Sequence, residues 1–100
     1  MKTEIFKVLG CGNLTQIPSQ KAEGGFLNRR TLRLQVFGGA TRQDSTDRFS
    51  NALIGTLMGK LAQCVFHPGE LVVCCYRLSI REYQGNWYQE ITIMEIEKLN

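Results

Sequence analysis

The clearest pattern in the chain is an alternating run that leads into a tight turn. Between Leu71 and Ile80 successive side chains fall on opposite faces, as in a strand with one buried side. The two faces are Val72, Cys74, Tyr76, Leu78 and Ile80, and then Val73, Cys75, Arg77, Ser79 and Arg81. Gln84-Gly85-Asn86 tolerates the positive φ values of a hairpin turn and is predicted to bring Tyr83 close to Trp87. This exposed aromatic pair beside Arg81 is a candidate base-stacking tip.

The earlier part of the chain also divides into alternating segments and polar loops. Thr3 to Ile17 is predicted as a long first strand, which Gly10 and Gly12 bend around a corner. After a polar loop over 19–28, Arg29 to Phe37 alternates as a second strand, and 38–47 forms another loop. Leu32, Leu34 and Val36 are predicted to face inward.

The segment from Phe49 to Phe66 fits both a helix and a strand. Two internal glycines argue against one long helix, so we divide it into a strand from about Arg48 to Met58 and a short helix from Lys60 to Phe66. The predicted order is then three strands, a short helix and two strands. This order is typical of an all-β, five-stranded OB-fold, a Greek-key barrel with a short helix between strands 3 and 4. At 100 residues, the whole chain, 1–100, is expected to be one OB-fold domain.

Composition narrows the class of protein. No apolar run approaches the ~20 residues of a membrane-spanning helix, and the N-terminus resembles no secretion signal, so a cytoplasmic location without membrane association is expected. The cysteines, Cys11, Cys64, Cys74 and Cys75, form no C-x-x-C pair, and the single His67 stands at no recognisable ligand spacing. We expect no metal and no cofactor. No catalytic pair, triad or P-loop is legible either, so the chain is not expected to be an enzyme.

Positive charge is concentrated in one region. Six basic and three acidic residues lie between Lys21 and Arg48, which equals the whole net charge of +3. Arginine dominates this set, and its guanidinium both forks onto phosphate and stacks on bases, although a cluster of this size can also be simply solvated. Candidate phosphate ligands are Arg29, Arg30, Arg33, Arg48, Arg77 and Arg81, and candidate stacking platforms are Phe37, Phe49, Tyr83 and Trp87.

The last 42 or so residues resemble a known family. The segments that carry the resemblance are Gly59-Lys60-Leu61-Ala62-Gln63, Pro68-Gly69-Glu70-Leu71-Val72-Val73, Arg77-Leu78, Arg81-Glu82-Tyr83 and Trp87-Tyr88-Gln89-Glu90-Ile91. In order and spacing they are similar to the bacterial single-stranded-DNA-binding proteins and their small relatives. The resemblance implies an OB-fold that oligomerises and wraps single-stranded DNA, with aromatic side chains stacking on bases. It implies a stacking role for Tyr83, places Met58 where the family often has a stacking phenylalanine, and places Phe49 near a family tryptophan.

The expected function is therefore non-sequence-specific binding of single-stranded DNA. Two alternatives remain: RNA binding, and an OB-fold protein-interaction module in which Val73, Cys75 and Met58 pack against a partner. A partly open barrel leaves strand edges to cover, so a homo-oligomer, either a dimer or a tetramer, is also expected.

Overall fold

The computed structural model describes residues 1–21, 23–37 and 51–99. These residues form six β-strands, and 3-10 helices occupy Glu23–Gly25 and Gly59–Gln63. The strands are β1 (Lys2–Cys11), β2 (Thr15–Pro18), β3 (Phe26–Val36), β4 (Ala52–Met58), β5 (Leu71–Tyr83) and β6 (Asn86–Lys98).

A single sheet curls into a closed barrel because β1 pairs with two strands. The sheet order is β1-β5-β6-β4-β3-β2, and a further β1–β3 pairing closes the ring. The first half of β1 pairs antiparallel with β5, and its second half pairs with β3 across a bulge between Val8 and Gly10. β2 continues β1 along the start of β3, so the two act as one bent strand of a five-stranded barrel. β4 and β6 run parallel where Thr56 meets Thr92.

The predicted all-β barrel is confirmed, but several predicted boundaries are wrong. The first strand breaks between Cys11 and Thr15, and β3 begins at Phe26 rather than Arg29. A 3-10 helix over Gly59–Gln63 replaces the predicted helix from Lys60 to Phe66. Arg48, Phe49 and the start of the predicted third strand lie outside the described residues.

The core lies inside the barrel and follows the predicted alternation. Its buried members are Phe6, Val8, Leu32, Leu34, Leu57, Ala62, Phe66, Val72, Cys74, Tyr76 and Ile93. Leu78 and Ile80 share the inner face of β5 but are exposed, because β5 and β6 extend beyond the barrel as a protruding hairpin. We call residues 78–91 of this hairpin the arm.

Gly55 is packed tightly against Ile93 where β4 and β6 pair. A Cβ atom at Gly55 would lie 2.7 Å from Ile93 Cδ1 and 3.0 Å from its Cγ1. Since Ile93 is only 2% exposed, its side chain has little room to move away. The absence of a side chain at Gly55 therefore allows the parallel strands to approach.

Tyr76 carries the single hydroxyl among the buried core side chains. Its ring packs edge-on against Phe6 with centroids 5.7 Å apart, and its hydroxyl donates a hydrogen bond to the Glu4 carboxylate. Burial, reinforced by that hydrogen bond, raises the pKa of Tyr76 to about 12. The folded protein thus favours the neutral phenol.

We predict that Gly55→Ala lowers the free energy of unfolding by about 1–3 kcal/mol, because the new methyl group overpacks the core. Ile93→Val removes the Cδ1 atom that the methyl would strike. In urea unfolding, adding Ile93→Val to Gly55→Ala should therefore recover stability, although Ile93→Val alone should cost about 0.5–1.5 kcal/mol. Strictly additive losses would contradict this packing.

The contribution of Tyr76 to the free energy of unfolding should be measurable as a loss of stability at alkaline pH. Because its folded-state pKa lies above the ordinary value of about 10, this stabilisation is complete below that pH and is lost as the pH rises towards 12. The unfolding free energy of Tyr76→Phe should lack this loss when both proteins are titrated with urea from neutral to alkaline pH. Tyr83→Phe, which alters an exposed tyrosine, should follow the wild-type curve. Parallel curves for wild type and Tyr76→Phe would contradict the assignment.

Candidate nucleic-acid interface

The outer surface of the barrel carries most of the predicted phosphate ligands. Leu32 and Leu57 point into the core, so their sequence neighbours on β3 and β4 point outward. The same alternation around Tyr76 and Ile93 fixes the outward residues of β5 and β6. We call the resulting surface the arginine face; it comprises Arg29, Thr31, Arg33, Ile54, Thr56, Met58, Arg77, Ser79, Arg81, Glu90 and Thr92.

Strand register places some of these residues in one row that runs around the barrel across four strands. Thr31 lies opposite Thr56, Thr56 opposite Thr92, and Thr92 opposite Arg77, which gives one row across the sheet. Hydroxyl and guanidinium groups in such a row are suitable donors to phosphate and sugar oxygens. The arginine face therefore presents hydrogen-bond donors along its width.

Four arginines and one glutamate, Glu90, belong to the arginine face, and Glu95 lies beside it on β6, opposite Cys75. Glu90 Oε1 lies 3.0 Å from Arg81 Nε, and both side chains are exposed to solvent. This ion pair orients Arg81 and leaves its two terminal nitrogens for another acceptor. The balance of the face is positive.

Met58 lies directly opposite Arg29, where β3 and β4 pair. An apolar, polarizable thioether beside a guanidinium offers a ligand both a stacking contact and a cation.

The guanidinium of Arg33 occupies space that Gly10 leaves free, a relation that the sequence analysis did not predict. Gly10 pairs with Arg33 across the bulge, and a Cβ atom at Gly10 would lie 2.8 Å from Arg33 Nε. The guanidinium therefore lies flat across the backbone of β1. A side chain at Gly10 would displace it.

Arg30 is placed differently from the other predicted ligands. It shares the inner face of β3 with Leu32, and its Nε donates to the Ala62 carbonyl at 2.8 Å. Its Nη1 donates to the Gly12 carbonyl at 2.9 Å and lies 3.8 Å from Cys11 Sγ. Arg30 thus joins the end of β1 to the 3-10 helix, and these bonds use donors that a phosphate contact would need.

Tyr83 and Trp87 lie on opposite faces of the arm, which corrects the expectation that they form a pair. Gln84 and Gly85, with φ values of 52° and 81°, form a two-residue turn. Tyr83 therefore pairs with Asn86, and Trp87 with Glu82. A three-residue turn would have placed the two aromatic rings on one face.

Tyr88 takes the place beside Tyr83 that sequence reasoning gave to Trp87. It lies opposite Arg81 and diagonal to Tyr83, on the side of the arm continuous with the arginine face. Tyr83 is 60% exposed and Tyr88 is 45% exposed, so both rings are accessible. Once the turn is known to have two residues, the alternation along β6 identifies Tyr88.

Other predicted site residues are not members of the arginine face. Phe37 follows the last residue of β3 and is exposed. Val73 and Cys75 precede Arg77 on the outward side of β5, where they pair with Ile5 and Thr3 on β1. Among residues 1–21, 23–37 and 51–99, no three potential metal-ligating side chains come together. No helix in this part of the chain is long and apolar enough to cross a membrane.

Comparison with known proteins identifies the fold. No protein-family model matches the sequence, and no curated protein is significantly similar to it. The solution NMR structure of the second OB-fold domain of replication protein A from Methanococcus maripaludis matches with a TM-score of 0.66 and 18% sequence identity. The match covers 97% of this chain and 81% of that one. The barrel is an OB-fold. The narrower resemblance to bacterial single-stranded-DNA-binding proteins has no support from family or sequence matches.

A matched pair of variants should separate the inward, structural arginine from its outward-facing neighbour. Arg30→Lys should lower the free energy of unfolding by about 1–3 kcal/mol, because a single ammonium cannot reach both carbonyls and leaves a part-buried acceptor unpaired. Arg29→Lys should change it by no more than about 0.5 kcal/mol. Urea unfolding of both variants checks the prediction, and equal losses would contradict it.

Proposed function

We propose that the protein binds single-stranded DNA without sequence specificity, through the arginine face and the adjoining side of the arm. The observation that carries the proposal is the placement of Arg29, Arg33, Arg77 and Arg81 on the outer surface of the barrel, where Glu90 pairs with Arg81. Charge of this kind binds the phosphate backbone and carries no base code.

The aromatic end of this surface favours single strands over duplex. Tyr83 and Tyr88 are accessible on the arm beside Arg81, and unpaired bases can stack on such rings whatever their identity. Bases inside a duplex present no free face. The arm is also one of the two loop regions with which OB-folds commonly hold oligonucleotides.

The likeness to a replication protein A domain supports the proposal at the level of fold. It adds no residue-level assignment, so the roles rest on the placement described above. Arg29, Arg33, Arg77 and Arg81 would contact phosphates, Tyr83 and Tyr88 would stack on bases, and Met58 would support the ligand beside Arg29. Arg30 and Trp87 are not included, because Arg30 is engaged internally and Trp87 faces the other side of the arm.

The test is fluorescence anisotropy with labelled oligo-dT of about eight nucleotides, within the site size of one OB-fold. Tyr83→Ala should weaken binding by about 5-fold to 150-fold, the equivalent of one lost stacking contact of about 1–3 kcal/mol. Trp87→Ala is the matched control, since it removes an exposed aromatic ring from the opposite face and should change affinity by less than about twofold.

Salt and competitor strands complete the experiment. Arg33→Gln should reduce the slope of log affinity against log salt by about 0.7, the value for one phosphate contact on a single strand. Duplex DNA should bind much more weakly, and an oligo-rU of equal length tests the RNA alternative. Absence of binding to both single strands at low salt would overturn the proposal and leave the protein-interaction module.

A further inference from the structure

β5 has a strand partner on only part of one side. β1 pairs with it from Leu71 to Tyr76, where Lys2 is the last partner, yet β5 continues to Tyr83. β6 accompanies β5 along its other side to the turn. Within the part of the chain that the structure describes, the edge from Leu78 to Tyr83 has no partner strand.

The turn determines which backbone groups this edge presents. In a two-residue hairpin the closing pair, here Tyr83 and Asn86, exchanges hydrogen bonds, and such pairs then alternate along the strand. Residues 83, 81, 79 and 77 therefore bond to β6. The N–H and C=O groups of Leu78, Ile80 and Glu82 point away from β6, towards the open edge.

Two of the side chains on this edge are large and apolar although they are exposed to solvent. Leu78 is 51% exposed and Ile80 is 64% exposed, on the face of the arm opposite to Arg81. Trp87 lies on the same face opposite Glu82 and, at 71%, is the most exposed aromatic side chain among the described residues. An unpaired edge with exposed apolar side chains is the kind of surface that pairs with another strand.

We propose that a second copy of this chain pairs with the edge, antiparallel, about a two-fold axis at Ile80. Ile80 then lies opposite Ile80 of the second copy, and Leu78 lies opposite its Glu82. All three outward-pointing residues of each copy, Leu78, Ile80 and Glu82, exchange backbone hydrogen bonds. On the other face Arg81 meets Ser79 and Arg77 meets Tyr83, which is a cation beside an aromatic ring.

Charge and existing strand pairing favour this register over those whose two-fold axis lies one residue away. A two-fold axis at Arg81 would place two arginines directly opposite each other, which is destabilising. A two-fold axis at Ser79 would require the backbone of Tyr76, which already pairs with Lys2. With the axis at Ile80 no like charges are directly opposite, and Glu90 offsets the diagonal approach of the two Arg81 side chains.

Pairing would also cover Trp87. Its cross-strand neighbour Glu82 lies opposite Leu78 of the second copy, so that leucine and the indole share one face of the extended sheet, with Glu82 between them. Trp87 is the one tryptophan of the chain, and its emission should shift to shorter wavelength as the protein concentration rises. This readout is independent of nucleic acid, so the dimer and the proposed function can succeed or fail separately.

The test uses sedimentation equilibrium and tryptophan emission over a concentration series of the full 100-residue chain. Ile80→Pro removes an edge N–H that β6 does not use, so the monomer should stay folded, with an unchanged circular dichroism spectrum. It should raise the dimer dissociation constant at least tenfold, since the bonds at the two-fold axis are lost. Ile80→Val keeps the N–H and is the matched control.

A second variant distinguishes loss of the dimer interface from a folding defect caused by proline. Ile80→Lys keeps the backbone donor but places two ammonium groups opposite each other at the axis, so it should also give a monomer. Dimers of wild type and Ile80→Val, with monomeric Ile80→Pro and Ile80→Lys, would establish the interface. A wild type that stays monomeric throughout, or a dimer that survives both substitutions with no shift in Trp87 emission, would overturn it.

Discussion

The double pairing of β1 is the constraint on which the rest of the structure depends. By pairing with β5 along one half and β3 along the other, β1 converts a sheet into a closed barrel. The bulge between Val8 and Gly10 provides the bend at which the partner changes. Gly10 has a second consequence, because the same absence of a side chain lets Arg33 lie across the strand. Closure and the placement of a candidate ligand thus share one residue.

Once the barrel is closed, simple alternation decides which side chains meet. Every strand sends alternate residues into the core, so the residues between them must form a continuous outer surface. Four arginines from two separate parts of the sequence reach this outer surface for this reason, without any direct contact among them being needed. Arg30 shows the opposite case: its inward position is tolerated because two carbonyl groups satisfy its guanidinium.

The fold was largely predictable from the sequence, whereas parts of the site were not. Period-two alternation in β3 and β5 identified Leu32, Leu34, Val72 and Cys74 as core, and all four are buried. The same alternation places Arg30 on the inner face of β3. Because Arg30 lies in a cluster of basic residues, it was nevertheless predicted as a phosphate ligand. Trp87 was misplaced because Gln84-Gly85-Asn86 fits turns of two or three residues, and one residue of turn length exchanges the faces of a strand. The sequence pattern predicts well which residues share a strand face, but it predicts turn length poorly.

The protruding arm explains how one hairpin can present two different surfaces. Inside the barrel, the inner face of β5 is buried; beyond the barrel the same alternation continues, so Leu78, Ile80 and Trp87 remain apolar but meet solvent. The opposite face carries Arg81, Tyr83 and Tyr88, which suit an anionic, planar ligand. Pairing of two arms through their edges would leave that second face open. Because opposite residues of paired strands share a face, the arginine faces of both copies would then lie on the same side of one extended sheet.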